Sequence, residues 1–250
     1  MKVFIVTALP QFYTSFFNCG VIGKALKKGI FDIEILDLRK FTLDKHHQID
    51  DRPYGGGPGM VLKIEPLFRA FNYAALKVLN LIDVDINKLD EEKRKEFIKN
   101  ILEKYDPRSL KEKSKDILYS IRLEPWGKIF DQKKAQEFSK KKNLIIFCGR
   151  YEGLDERISE IIDEEISIGN FILTGGDTAA LVILEATLRL LDGVLHNKES
   201  LKADTFSNSN LKGYPVYTRP AEYKGRKVPK ELLSGDHKLI EKWRKEKKRL

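Results

Sequence analysis

The stretch from Leu144 to Asp177 constrains the fold of this chain more than any other. Leu144 to Cys148 is a short apolar run closed by Gly149, Arg150, Tyr151, Glu152 and Gly153. Two further runs, Glu165 to Ile168 and Asn170 to Leu173, are split by Gly169 and closed by Thr174, Gly175, Gly176 and Asp177. Apolar runs of about four to eight residues bounded by turn residues are the pattern of buried parallel strands. Glycine at their ends lets backbone approach a ligand without a Cβ in the way. The helix that follows, Ala179 to Leu191, is apolar almost all round and so predicts burial, with Asp177 or Thr178 as its cap. Spacing alone leaves two readings open, a ligand pocket and ordinary strand-to-helix turns.

The remainder repeats the α/β pattern. Lys2 to Leu9 and Ile33 to Leu38 read as strands around a helix bearing Val21, Ile22, Ala25 and Leu26, stopped at Gly29. Pro66 opens a helix with Leu67, Phe68, Ala70, Phe71 and Ala74. Ile117 to Leu123 reads as a strand, Pro125-Trp126-Gly127 as the turn after it, and Asp131 to Lys141 as a helix. Between Asn87 and Asp116 stand ten Lys or Arg and eight Asp or Glu, which predicts a charged surface insertion over about 79–115. Its Phe97, Ile98, Ile101 and Leu102 recur at helical spacing. The polar stretch 193–215 reads as a linker between a main domain, 1–192, and a basic, helical part, 216–250.

Several segments of this chain resemble the bacterial tRNA (guanine-N1)-methyltransferases, the TrmD family. They are Gly149-Arg150-Tyr151-Glu152-Gly153 with Asp155-Glu156-Arg157, and Ser167 to Gly176. The glycine- and proline-rich segment Asp50 to Met60 is similar to that family's most distinctive stretch, and Tyr217-Thr218-Arg219-Pro220 with Leu232 to His237 to its C-terminal part. The resemblance covers nearly the whole chain apart from about 79–115. It implies an α/β methyltransferase domain of the SPOUT type, with a parallel sheet and a deep trefoil knot, joined to a small helical domain. Such knots are rare exceptions to chain topology. It also implies a homodimer acting on tRNA in support of reading-frame maintenance. The reaction would methylate N1 of the guanosine immediately 3′ of the anticodon, with S-adenosyl-L-methionine as donor.

Carried across residue by residue, the resemblance assigns the cofactor site to Gly149, Tyr151, Ile168, Gly169, Asn170, Phe171, Ile172, Leu173, Gly175 and Gly176, with Pro125 and Gly127 from a third loop. Methylating N1 removes a proton normally held at neutral pH while charge develops toward O6, so a base and a cation are required. The family match makes Asp204 the base and Arg189 the cation. By themselves, Asp204 is a typical turn-forming Asp and Arg189 a typical helix-end cation. Glu152, Asp50 and Arg52 are substrate-binding candidates, together with Arg150. Magnesium ion is a candidate assistant by the same resemblance, although no metal-ligand cluster in the sequence supports a bound ion. Three departures from the family pattern bear on the site: Asp177-Thr178-Ala179 after the double glycine, Thr205 after Asp204, and Trp126 after Pro125.

Charge and composition bound the partners. Of the net +9, a net +7 lies between Lys224 and Leu250, from eleven Lys or Arg against four Asp or Glu, which predicts an RNA-facing end in which Trp243 supplies a stacking surface. Two cysteines far apart exclude a disulfide framework. No apolar run approaches the roughly 20 residues that span a bilayer, so no membrane partner and a cytoplasmic location are expected. The glycine-rich segment lacks G-K-[ST], and no G-x-G-x-x-G follows a strand, which excludes nucleoside-triphosphate and dinucleotide loops. Two alternatives remain at this level. One is a knotted methyltransferase acting on a ribose 2′-hydroxyl or another base; the other is a non-catalytic basic RNA-binding protein.

Overall fold

A computed structural model of the chain describes residues 1–195 and 213–247. The chain divides into two compact units, Met1–Leu195 and His196–Leu250. The first is built on five parallel strands in the order β2-β1-β6-β5-β7: β1 (Lys2–Thr7), β2 (Asp32–Asp37), β5 (Leu118–Ile129), β6 (Asn143–Phe147) and β7 (Glu164–Ser167). Two short antiparallel strands, β3 (Asp50–Asp51) and β4 (Val61–Leu62), flank the glycine-rich segment.

Helices cover both faces, because successive strand residues point to opposite sides and both sides here are apolar. Phe4, Val6, Ile145 and Phe147 enter one core with α3 (Ile64–Val78). Val3, Ile5, Leu144 and Ile146 enter the other, with α1 (Thr14–Asn18), α2 (Gly20–Lys27), α6 (Gln132–Ser139) and α7 (Asp177–Leu188).

The structure corrects several expectations, four of them in the elements of this unit. Asn170 to Leu173 is no strand but an irregular loop, with Phe171, Ile172 and Leu173 exposed. Alone after Gly169, this run has no partner strand for its backbone groups, so apolar composition did not suffice. Helix α7 is not buried all round: Ala180, Ile183, Leu184 and Leu188 are fully buried, while Val182 on the opposite face is exposed. The charged segment is not a surface insertion. Its helices α4 (Glu91–Asn100) and α5 (Pro107–Ser114), with the 3-10 turn Leu102–Lys104 between them, place Ile98, Leu102 and Leu110, all fully buried, in the core beside α3. Its charges occupy the outward faces, and the minority of apolar residues carries the packing. Lastly, residue 193 does not begin a free linker, since Val194 is buried in the core beside α7.

The second unit contains the hairpin β8 (Glu222–Tyr223) and β9 (Arg226–Lys227), then α8 (Lys230–Leu233) and α9 (His237–Glu246). Asp236 caps α9 through the Lys238 and Leu239 amides. Trp243 is 6% exposed and meets the Tyr217 ring edge-on at 6.2 Å, so it serves this unit's small core and does not present a free stacking surface.

Candidate active site

In open α/β sheets ligands bind beyond the carboxyl ends of the strands. Three loops meet there at the ends of β5, β6 and β7 and enclose a cleft of about 240 Å³. The first interrupts β5, whose register with β7 breaks between Leu123 and Lys128. Gly127 is required in it, because an added Cβ would lie 2.6 Å from the Ile166 amide nitrogen. The second loop, Gly149 to Gly153, leaves β6 with Tyr151 at φ +58 and Gly153 at φ +114. In the third, Gly169 takes φ +151, where a Cβ would strike the Phe171 ring at 2.5 Å.

Backbone contacts tie these loops together. The Gly176 amide donates to Gly149 O at 2.9 Å, and Arg150 and Gly175 form an antiparallel bridge. Beneath them, Asp177 is not the cap of α7, a position held by Gly176. Its buried Oδ1 accepts from Thr7 Oγ1 at 2.5 Å and from the Tyr13 hydroxyl at 2.9 Å, so local capping gives way to a tertiary anchor. Tyr13 also lies 3.3 Å from Cys148 Sγ. Burial, followed by the Asp177 charge, pushes the Cys148 thiol well above its ordinary range, which removes it as a nucleophile.

Pro125, Gly149, Tyr151 and Glu152 line the cleft, as do Ile168, Gly169, Phe171, Ile172, Leu173, Gly175 and Gly176. Asn170 is exposed and does not line it. Apolar side chains, open backbone groups and a few polar residues make a surface that fits an adenosyl ligand. Asp50 and Arg52 also lie outside the lining, on the β3 side of the glycine-rich segment. That segment is nonetheless joined to the second loop: the Glu152 amide donates to Met60 O and the Leu62 amide to Gly153 O, both at 3.0 Å. Gly59 is favoured at this junction because its backbone takes φ +83, a left-handed conformation. Asp155 and Arg157 pair with each other at 2.6 Å. Arg189 follows the last turn of α7, its amide bonded to Glu185 O. Asp204 lies outside the described residues.

The tRNA (Guanine-1)-methyltransferase TrmD family model matches residues 1–250. The chain belongs to that family. It is similar to the tRNA (guanine-N(1)-)-methyltransferase of Persephonella marina, at 50% identity over 98% of this chain and 82% of that protein. The corresponding protein of Aquifex aeolicus is 41% identical over 98% of this chain and 79% of its own length. The crystal structure of tRNA (m1G37) methyltransferase from Aquifex aeolicus superposes with a TM-score of 0.68 at 38% identity, covering 97% of this chain and 87% of that one. The 79–115 segment, outside the resemblance carried by motifs, falls within the span of the family match.

Two residues lining the cleft, Glu124 and Trp126, belong to an ion cluster that the sequence did not reveal. Arg122, 2% exposed, donates from Nη1 to Glu156 Oε2 at 3.0 Å and from Nη2 to Glu165, whose other oxygen accepts the Trp126 indole at 3.1 Å. Glu124 lines the cleft beside them. The available signal was two ionisable residues at i, i+2 inside an otherwise apolar strand, which predicts a buried pair. Burial, only partly offset by Arg122, pushes the Glu124 carboxyl up to about 7 from its ordinary 4.5. Between those values the folded protein holds a proton that the unfolded chain has lost, so this group costs stability as pH rises, fully so above 7. Glu124→Gln should therefore stabilise the protein by about 1 to 3 kcal/mol at pH 8 and by almost nothing at pH 4.5. Urea unfolding at the two pH values checks this; equal stability at pH 8 would mean that Arg122 already balances the charge.

Proposed function

We infer that this chain is a tRNA (guanine-N1)-methyltransferase that uses S-adenosyl-L-methionine to methylate N1 of the guanosine immediately 3′ of the anticodon. The observation that carries this reading is the family match along all 250 residues, joined to a glycine-lined cleft at the carboxyl ends of the strands. The bound donor supplies an electrophilic methyl group. The protein's part is to hold the guanine in line with it and to manage one proton. Asp204 takes the N1 proton as the new carbon–nitrogen bond forms, and Arg189 stabilises the charge that develops at O6. A flipped, accessible base suits a loop target in a folded tRNA.

Finer parts of this reading rest on particular features. Exposed Phe171, Ile172 and Leu173 beside the cleft, with Val182 on α7, support a homodimer in which Asp204 of one chain completes the cleft of its partner. The mutual contacts of the Gly149 and Gly175 loops support a knotted path at the same place. The net +7 of residues 224–250 supports tRNA binding by the second unit. Among the described residues no helix is long and apolar enough to cross a membrane, in keeping with work in the cytoplasm. They also contain no group of three or more His, Cys, Asp or Glu that could hold a metal ion. The deciding experiment incubates the protein with unmodified tRNA and S-adenosyl-L-methionine and digests the product to nucleosides. 1-Methylguanosine is expected; a ribose-methylated nucleoside, or none, would overturn the assignment.

A further inference from the structure

Glu124 stands where β5 breaks away at the cleft, and nothing in the reaction above employs it. Its side chain is 7% exposed, and among the described residues its cationic partner is Arg122, with Nε 3.9 Å from Oε1. That guanidinium is already committed to Glu156 and Glu165, while its Nε has no hydrogen-bond partner. One cation thus faces three carboxyl groups, drawn from β5, from β7 and from the turn that follows Asp155. From the loop after β6, Arg150 and Glu152 line the same cleft and contribute charges of opposite sign. With Glu124 ionised, this cluster, which reaches the cleft through Glu124, carries excess negative charge in a setting where burial already holds the carboxyl up to about 7. A cation arriving in the cleft would relieve both costs.

We propose that Glu124 is a specificity-determining residue that reads the positive charge of the methyl donor, favouring the sulfonium ion over the neutral thioether left after transfer. The proposal rests on the cleft being the donor site. S-Adenosylmethionine and S-adenosylhomocysteine share adenosine, ammonium and carboxylate, and differ by one methyl group and one positive charge. A half-desolvated carboxylate separates them by that charge. Binding the donor draws Glu124 into its ionised form and releases a proton; binding the product does not, which favours product exchange.

Calorimetry with both ligands, for the wild type and Glu124→Gln, from pH 5.5 to 7.5 in two buffers of different protonation enthalpy, tests this. For the wild type, donor affinity should fall about tenfold from pH 7.5 to 5.5 with proton release, and product affinity less than about twofold. Glu124→Gln should bind the donor about tenfold more weakly at pH 7.5 with no pH dependence and bind the product normally. Glu124→Asp, which keeps the charge, should retain proton release and separates a charge effect from misfolding. Equal losses for donor and product, or an unchanged donor affinity in Glu124→Gln, would overturn the proposal. A wild type that binds neither ligand would overturn the donor-site reading along with it.

Discussion

Asp204→Asn should lower single-turnover methylation of tRNA by about 10² to 10⁴, the usual scale for loss of a general base. Cofactor affinity should hardly change, because the residues lining the described cleft lie between Leu123 and Ala179. The amide matches the carboxylate in size and keeps one acceptor oxygen, so a loss of rate reports proton transfer. Rapid-quench measurement with enzyme in excess separates the chemical step from product release. Turnover near the wild-type value would remove Asp204 from the base role. A parallel loss in S-adenosylhomocysteine affinity would make it a binding residue. Arg189→Ala should also lower the saturated rate, with a smaller change in tRNA affinity; the reverse pattern would place Arg189 in substrate binding.

Replacing residues 87–115 with a short glycine-serine linker should abolish stable folding, although charge composition alone suggested a dispensable insertion. Ile98, Leu102 and Leu110 are fully buried in the core that holds α3, and Asn72 Nδ2 donates to Leu102 O and Tyr105 O, each at 2.9 Å. Arg69 adds an ion pair to Glu103 at 2.5 Å. Truncating such a side chain leaves a cavity as well as losing its transfer energy, so Leu102→Ala and Leu110→Ala should each cost about 2 to 5 kcal/mol. Urea unfolding followed by far-UV circular dichroism reads this directly. A deletion variant that folds and methylates within about tenfold of the wild type would restore the segment to the status of a surface insertion.

Whatever depends on neighbours along the chain was legible without the structure. The strands β1, β2, β5, β6 and β7, the glycines at their carboxyl ends and the stop at Gly29 are written in short-range pattern, because side-chain periodicity and left-handed backbone act within a few residues. The cleft-lining residues of these loops were named through the family resemblance, since spacing alone left a pocket and ordinary turns open; Asn170, named with them, does not line the cleft. Tertiary structure alone decided where pattern was ambiguous or partners were distant. Asn170 to Leu173 has the composition of a strand, yet it pairs with none of the described strands. Asp177 has the chemistry of a cap, yet its partner Tyr13 comes from 164 positions away. The ion cluster joins Arg122 to residues 34 and 43 positions later, a separation at which no local spacing carries information. Trp243 and the charged segment follow the same logic. An exposed ring and a charged helix look alike in sequence to a buried ring and a docked helix, and only the surface each one meets tells them apart.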